Sequence, residues 1–332
     1  MVSFVLTALL GAWLIPYLRK LKFGQTILDI GPRWHKNKQG TPTMGGIMFI
    51  VGIGLGVLTG YALMGIRAGQ VAYNRSALDT ARIVLGLVMA LAFGMIGFLD
   101  DYIKVIKKQN LGLSARQKLI GQFLCAGVYI LGLYLAGNHS TIEFLPFMGQ
   151  FNFGLAYYPL AIIGIVYIVN AVNLTDGIDG LCASVTFVAA IGYIAISTLL
   201  YSQGMSMFAA ALAGGCVGFL VWNLHPARVF MGDTGSMFLG GCIVALAFGT
   251  GTPVFVALTG FVYILEGLSV MLQTLYFKYT RHKYGEGRRI FKMAPIHHHF
   301  EMMGWSESRI VAVFSCVGAA TAVAAVLAVT RM

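Results

Sequence analysis

The sequence predicts an all-α polytopic membrane protein with about ten transmembrane helices, both termini extracytoplasmic and a single integral membrane domain over residues 1–332. Three observations predict it. Of the 332 residues 58% are hydrophobic and only 11% charged, against about 25% charged in an ordinary soluble domain. Apolar stretches of roughly 20 residues, the length that crosses a bilayer, recur along the chain. The basic residues gather in alternate loops.

The first helix is expected at 3–20. It has no basic segment before it, and Arg19, Lys20 and Lys22 follow the apolar run, so it reads as a retained helix rather than a signal peptide. The second, 44–65, carries Gly52, Gly54 and Gly56. With no strand before them, these glycines read as helix packing and not as a phosphate loop, and Gly214-Gly215 in the seventh helix reads the same way. The third is expected at 80–100 and the fourth at 118–137. Residues 138–156, with Pro146, Gly149 and the alternation Phe151-Asn152-Phe153, predict a short hairpin with no evident function. The remaining helices are expected at 157–175, 181–202, 205–223, 235–251, 253–279 and 307–329. Glu266 falls inside the ninth. It reads either as a functional carboxylate in the bilayer or as the mark of a helix break.

The formal net charge of +11 is not a nucleic-acid signal. All but four of the 23 Lys and Arg residues (Arg67, Arg75, Arg82 and Arg331) fall in loops on one side. The positive-inside rule makes that side cytoplasmic, next to anionic lipid headgroups. The five cysteines, Cys125, Cys182, Cys216, Cys242 and Cys316, lie in apolar stretches without a CxxC pair and read as packing residues.

The acidic residues carry the chemistry. There are only 12, and five aspartates share one placement. Asp100 and Asp101 end the third helix, Asp176 and Asp179 follow the fifth in Asn173-Leu174-Thr175-Asp176-Gly177-Ile178-Asp179-Gly180, and Asp233 follows the seventh in Phe230-Met231-Gly232-Asp233-Thr234-Gly235. Odd-numbered helices all arrive at the cytoplasm, so three distant segments deliver five carboxylates to one depth. Like charges there oppose ionisation, and partial desolvation adds to the cost. A divalent cation shared between the acidic side chains removes both problems, and hard oxygen ligands suit magnesium or manganese. The blander reading, aspartates that merely solvate helix ends, does not account for their flanking Gly, Asn and Thr residues. Glycines at 177, 180, 232 and 235 let backbone approach a ligand, and N–H groups at a helix start can hold phosphate oxygens.

The last cytoplasmic loop contains Pro295-Ile296-His297-His298-His299-Phe300-Glu301. Adjacent histidines in an extended segment point to different sides, so three-way zinc chelation is awkward, and phosphate binding or proton transfer suits them better. The first loop, Gly31 to Gly46, is basic and held by proline and glycine. It reads as a phosphate-neutralising segment or as a topogenic one.

These residues resemble the signatures of the phospho-N-acetylmuramoyl-pentapeptide transferase family. The loop Lys38-Gln39-Gly40-Thr41-Pro42-Thr43-Met44-Gly45-Gly46 resembles its first signature. Asp100-Asp101-Tyr102, Asn173 to Gly180, Asn223 with Phe230 to Gly235, and Pro295 to Glu301 resemble further ones in the family's order, over nearly the whole chain. The Asp-Asp and Asn-Leu-Thr-Asp-Gly motifs alone occur across the polyprenyl-phosphate N-acetylhexosamine-1-phosphate transferase superfamily. The histidine run and Thr-Pro-Thr-Met-Gly-Gly narrow the match. Trp34 before His35 departs from the pattern.

The resemblance implies a multi-pass homodimer in the bacterial cytoplasmic membrane that uses Mg2+. It implies transfer of phospho-MurNAc-pentapeptide from UDP-MurNAc-pentapeptide to undecaprenyl phosphate, giving lipid I and UMP. Carried onto matching positions, Asp100, Asp101, Asp233 and His297 are catalytic, and Asp233 with Asp101 binds the metal. Lys38, Asp176 and Phe230 line the uridine pocket, with Asn173, Asp179, Asn223 and Gly232 nearby; Thr43 and His298 also bind substrate, His297 is near the diphosphate, and Lys104 and Lys118 face phosphate. A one-step transfer with Asp100 as base is favoured over a covalent aspartyl intermediate. A transporter and a UDP-GlcNAc-dependent relative are the competing readings. Transporter sites lie near the midplane, whereas these aspartates collect at one face.

Overall fold

The computed structural model describes residues 1–20, 38, 40–68, 76–106 and 111–332. Residues 21–37, including Trp34, lie outside the described residues. Twelve helices and one hairpin follow in order among them: α1 (Val2–Lys20), α2 (Gly46–Ala68), α3 (Ala77–Ile106), α4 (Ala115–Leu135), β1 (Ile142–Leu145), β2 (Gly149–Asn152), α5 (Tyr157–Thr175), α6 (Leu181–Leu199), α7 (Gln203–Asn223), α8 (Gly232–Gly249), α9 (Val256–Thr259), α10 (Phe261–Tyr284), α11 (Ile296–Glu301) and α12 (Glu307–Val329). Nine of the described helices are long and apolar enough to cross a membrane, or ten spans if one bent pair is a single crossing. The chain is a polytopic all-α membrane protein.

The packing radiates from α8, which is buried along nearly its whole length. Small residues let α3 lie close against it. A Cβ at Gly241 would come within 2.6 Å of the Ala90 backbone, and one at Gly86 within 2.8 Å of the Ala245 side chain. At Gly97 a Cβ would overlap the Asp233 carbonyl. Without a hydrophobic drive between helices in lipid, close backbone contact of this kind supplies the association. It also brings the Asp100 end of α3 to the start of α8. Gly52 on α2 abuts Thr7 and Ser3 of α1, in keeping with the packing reading of that glycine run. Cys182, Cys216 and Cys242 are buried in the core, whereas Cys316 faces outward on α12.

Three elements differ from expectation. Helix α3 runs past residue 100 to Ile106, because Lys104 continues the helical face of Asp100 and pairs with it at 2.6 Å. The ninth span is not continuous. It bends by 84° between the segments Pro253–Thr259 and Phe261–Tyr284. The break is at Gly260, whose N–H closes the short α9 on Val256 O at 2.8 Å and where a Cβ would crowd that same carbonyl. Glu266 is therefore not the break; it lies within α10. The histidine run is helical, as described below.

The hairpin is present, with Ile142 opposite Asn152 and Leu145 opposite Gly149. Phe144 stacks on Phe255 of the turn before α9, with ring centroids 6.2 Å apart. This fixes the hairpin at the end of the bundle opposite Asp100.

Candidate active site

The site grows from the segment that enters α8. Phe230 N–H donates to Pro42 O and Gly45 N–H to Phe230 O, both at 2.8 Å, and Gly46 N–H donates to Met231 O at 3.1 Å. The Thr-Pro-Thr-Met-Gly-Gly segment is thereby zipped to the strand-like run before α8. Gly232 has φ +71, and a Cβ there would lie 2.5 Å from Asp101 Oδ2 and 2.9 Å from Thr43 Oγ1. Only glycine fits.

Asp101 reaches from α3 to cap α8. Its Oδ2 accepts from Thr234 N–H at 2.9 Å and from Thr234 Oγ1 at 2.7 Å. A carboxylate at a helix N-terminus satisfies orphan donors and meets the positive end of the dipole. Asp233 then projects from the first turn of α8. Asn173 Nδ2 holds its Oδ1 at 2.9 Å and also reaches Ser236 Oγ at 2.8 Å. Asp100 Oδ1 accepts from Leu113 N–H at 2.7 Å, which folds the segment before α4 back onto α3.

Two lysines face these three carboxylates. Lys104 Nζ lies 2.6 Å from Asp100, 3.1 Å from Asp233 and 4.0 Å from Asp101. Lys118 Nζ lies 2.7 Å from Asp233 and 3.5 Å from Asp100. Asp100 and Asp101 are buried, while the Asp233 side chain is 20% exposed and is the open face of the group. Asp100, Asp101 and Asp233 each offer an oxygen within 4.8 Å of the others. Three carboxylates against two ammonium groups leave net negative charge. Hard oxygen donors in that arrangement fit a divalent cation.

The five aspartates do not form one group. Asp179 sits in a second cluster, where its Oδ1 accepts from Lys38 Nζ at 2.7 Å and its Oδ2 from Ala227 N–H at 3.0 Å, with His225 Nδ1 also at 3.0 Å. Glu307 Oε2 completes it, 2.7 Å from Lys38 Nζ and 2.9 Å from the Asp179 N–H. The turn after α5 is the reason. Asp176 N–H closes on Asn173 O at 3.2 Å, and Gly180, at φ +78, turns the chain into α6, which swings Asp179 toward the loop after α7. Asn223 pins this turn, accepting from Gly180 N–H at 3.1 Å and donating to Val229 O at 2.9 Å. Asp176 lies between the clusters. Burial and the charges of Asp233, Asp101 and Asp179 push its carboxyl up to about 8.

The histidines occupy the short helix α11, not an extended segment. Pro295 precedes its first turn, and His298 N–H donates to Pro295 O at 3.1 Å. The helix sends them three ways. His297 is fully buried, with Nδ1 3.1 Å from Glu266 Oε1, and Nε2 where a Cβ at Gly177 would be. His298 Nδ1 meets Glu301, and His299 Nδ1 accepts from Lys292 N–H at 3.1 Å. His297 thus backs the Asp176–Asp179 turn from behind.

Thr234, Ser236, Leu113, His225 and Glu307 escaped the sequence reading. Glu307 had a positional signal, as the one acidic residue in the first turn of α12, but such residues are ordinary at helix starts.

The family model for glycosyl transferase family 4 matches residues 83–251, and the first signature model of phospho-N-acetylmuramoyl-pentapeptide-transferase matches residues 38–50. The chain is 48% identical to the phospho-N-acetylmuramoyl-pentapeptide-transferase of Heliobacterium modesticaldum, over 92% of this chain and 89% of that one. It is 43% identical to the protein of that name from Bacillus subtilis, over 97% and 94% of the two chains, and 43% identical to that of Caldicellulosiruptor bescii, over 94% and 91%.

Proposed function

Since the chain belongs to the phospho-N-acetylmuramoyl-pentapeptide-transferase family, we propose that it transfers phospho-MurNAc-pentapeptide from UDP-MurNAc-pentapeptide to undecaprenyl phosphate, giving lipid I and UMP in peptidoglycan synthesis. The observation that carries this reading is the meeting of Asp100, Asp101 and Asp233 with Lys104 and Lys118 at one end of the bundle. The positive-inside rule makes that end cytoplasmic, in the bacterial inner membrane, where a nucleotide donor and a lipid acceptor can both reach it. We infer a homodimer as the working form.

Asp233 and Asp101, with Asp100 beside them, are the residues that would hold magnesium, which when bound neutralises charge developing on the diphosphate and leaving group. Lys104 and Lys118, now paired with aspartates, supply ammonium groups to phosphate oxygens as the substrates enter. Asn173 holds Asp233 in one orientation, so the carboxylate need not reorganise during transfer. Asp100 serves as base. Its task is modest, because a phosphate monoester has a second pKa of about 6 and is largely ionised at neutral pH. Lys38, Asp176 and Phe230 would line the uridine pocket, with Asp179, Asn223 and Gly232 nearby and Thr43 and His298 as further substrate-binding residues. His297, expected to be catalytic, is fully buried behind Gly177, so it acts instead by supporting the Asp176 turn from behind.

The test is radiolabelled UDP-MurNAc-pentapeptide with undecaprenyl phosphate, with and without EDTA. Labelled lipid and UMP are expected without chelator, and neither with it. No labelled lipid from folded protein in magnesium overturns the reading. Competition by unlabelled UDP-GlcNAc, expected to be ineffective, separates it from its UDP-GlcNAc-dependent relatives.

A further inference from the structure

We propose that Glu307 is a positioning residue for the nucleotide end of the donor site, acting through Lys38 and the Asp179 N–H; the proposal rests on the transferase reading above.

An acidic residue in the first turn of a helix normally serves that helix's own N–H groups. Here Ser306 Oγ already accepts from Arg309 N–H at 3.3 Å and caps α12. The Glu307 side chain, only 9% exposed, turns elsewhere. Its Oε2 lies 2.7 Å from Lys38 Nζ, 2.9 Å from the Asp179 N–H and 3.8 Å from His225 Nδ1. Four segments remote in sequence therefore meet at one carboxylate: the end of the first loop, the turn after α5, the loop after α7 and the start of the last helix.

The consequence is preorganisation. A lysine on its flexible stem loses rotamer freedom when it takes a single geometry. Lys38 has already lost it, because Asp179 and Glu307 grip its ammonium from two sides at 2.7 Å each. The same Glu307 oxygen fixes the backbone of Asp179, three residues beyond Asp176. Both walls of the nucleotide pocket are thereby set before the donor arrives, and ordering them is not charged against binding. Glu307 is not among the carboxylates of the transfer centre, so its removal acts on donor affinity and leaves the transfer step alone.

The experiment is steady-state kinetics of detergent-solubilised Glu307→Gln, with donor and acceptor varied separately. Glutamine keeps an acceptor for the Asp179 N–H and loses the charge that holds Lys38. Removing one charge-assisted contact predicts a donor KM about tenfold higher, with kcat and the acceptor KM within about twofold of wild type. The UMP dissociation constant, measured by calorimetry, rises by the same factor. In a Lys38→Met background the Glu307→Gln change adds less than about twofold, because its effect runs through the lysine. Glu307→Asp keeps the charge and falls between wild type and Glu307→Gln. It stands in for Glu307→Gln if that variant is not monodisperse.

A donor KM that is unchanged or lower, donor and acceptor KM rising together, or a fall in kcat alone overturns the proposal. If wild type itself releases no UMP, the transferase reading fails instead, and the UMP titration still reports on Glu307.

Discussion

His297 Nδ1 lies 3.1 Å from Glu266 Oε1, and neither side chain has any exposed surface. The pair joins α11 to the second half of the broken span and sets the imidazole behind Gly177. A buried polar pair is weak evidence of net stability, but removing one partner strands the other. Glu266→Leu is therefore expected to destabilise the protein by about 3 kcal/mol. Thermal unfolding in detergent measures it, and an unchanged midpoint would rule the pair out as a structural tie.

Gly177 has no room for a side chain. A Cβ there would overlap the His297 imidazole at Nε2, and overpacking of this kind costs about 1–3 kcal/mol. Gly177→Ala should lower thermal stability and weaken UMP binding together, since the displaced turn carries Asp176 and Asp179. In a His297→Ala background, which already lacks the imidazole, Gly177→Ala should add little further loss. An equal loss in both backgrounds would place the clash elsewhere.

Phe230 is held by backbone hydrogen bonds on both sides, to Pro42 and Gly45, so its side chain can be changed without releasing the segment. Phe230→Ala should weaken donor binding about tenfold by removing an aromatic face for uracil, with the unfolding midpoint nearly unchanged. Equal donor dissociation constants in wild type and variant would reject that role.

At the other end of the bundle, burial on the inner side of the hairpin raises the Glu143 carboxyl from its usual 4.5 to about 7, partly offset by a hydrogen bond from Tyr157. Between those two values the folded protein binds more protons than the unfolded chain, so its stability falls as pH rises through that window and levels off above it. Glu143→Gln removes the titration. Its unfolding midpoint should drop less than that of wild type between pH 4.5 and 7. Identical pH profiles would contradict the assignment.

Much of this architecture was legible because lipid imposes simple rules on sequence. Apolar runs of spanning length located the helices, and the odd-helix placement of Asp100, Asp176, Asp179 and Asp233 marked the end of the bundle where their two clusters lie. Direction was harder to read. Nothing in Asp176-Gly177-Ile178-Asp179 says that the two aspartates part company; the turn set by Asp176 N–H and Gly180 decides it. Gly260 resembles the packing glycines elsewhere in the chain, so a break there carried no separate signal. Three adjacent histidines carry no helical period of their own, whereas Pro295 at a helix start favours a short turn. Glu307 gives no local signal, because its partners, Lys38 and Asp179, lie more than a hundred residues away in the chain.

Phosphoryl transfer as proposed depends on Asp233 and Asp101, with Asp100 beside them, holding a divalent cation. Labelled lipid formation by Asp233→Asn across a magnesium titration tests it most directly. The substitution keeps a hydrogen-bonding oxygen for Asn173 and removes one negative charge, so folding should survive. Turnover is expected at least about a hundredfold below wild type at every magnesium concentration, with the unfolding midpoint retained. Wild-type turnover with an unshifted magnesium dependence would contradict it.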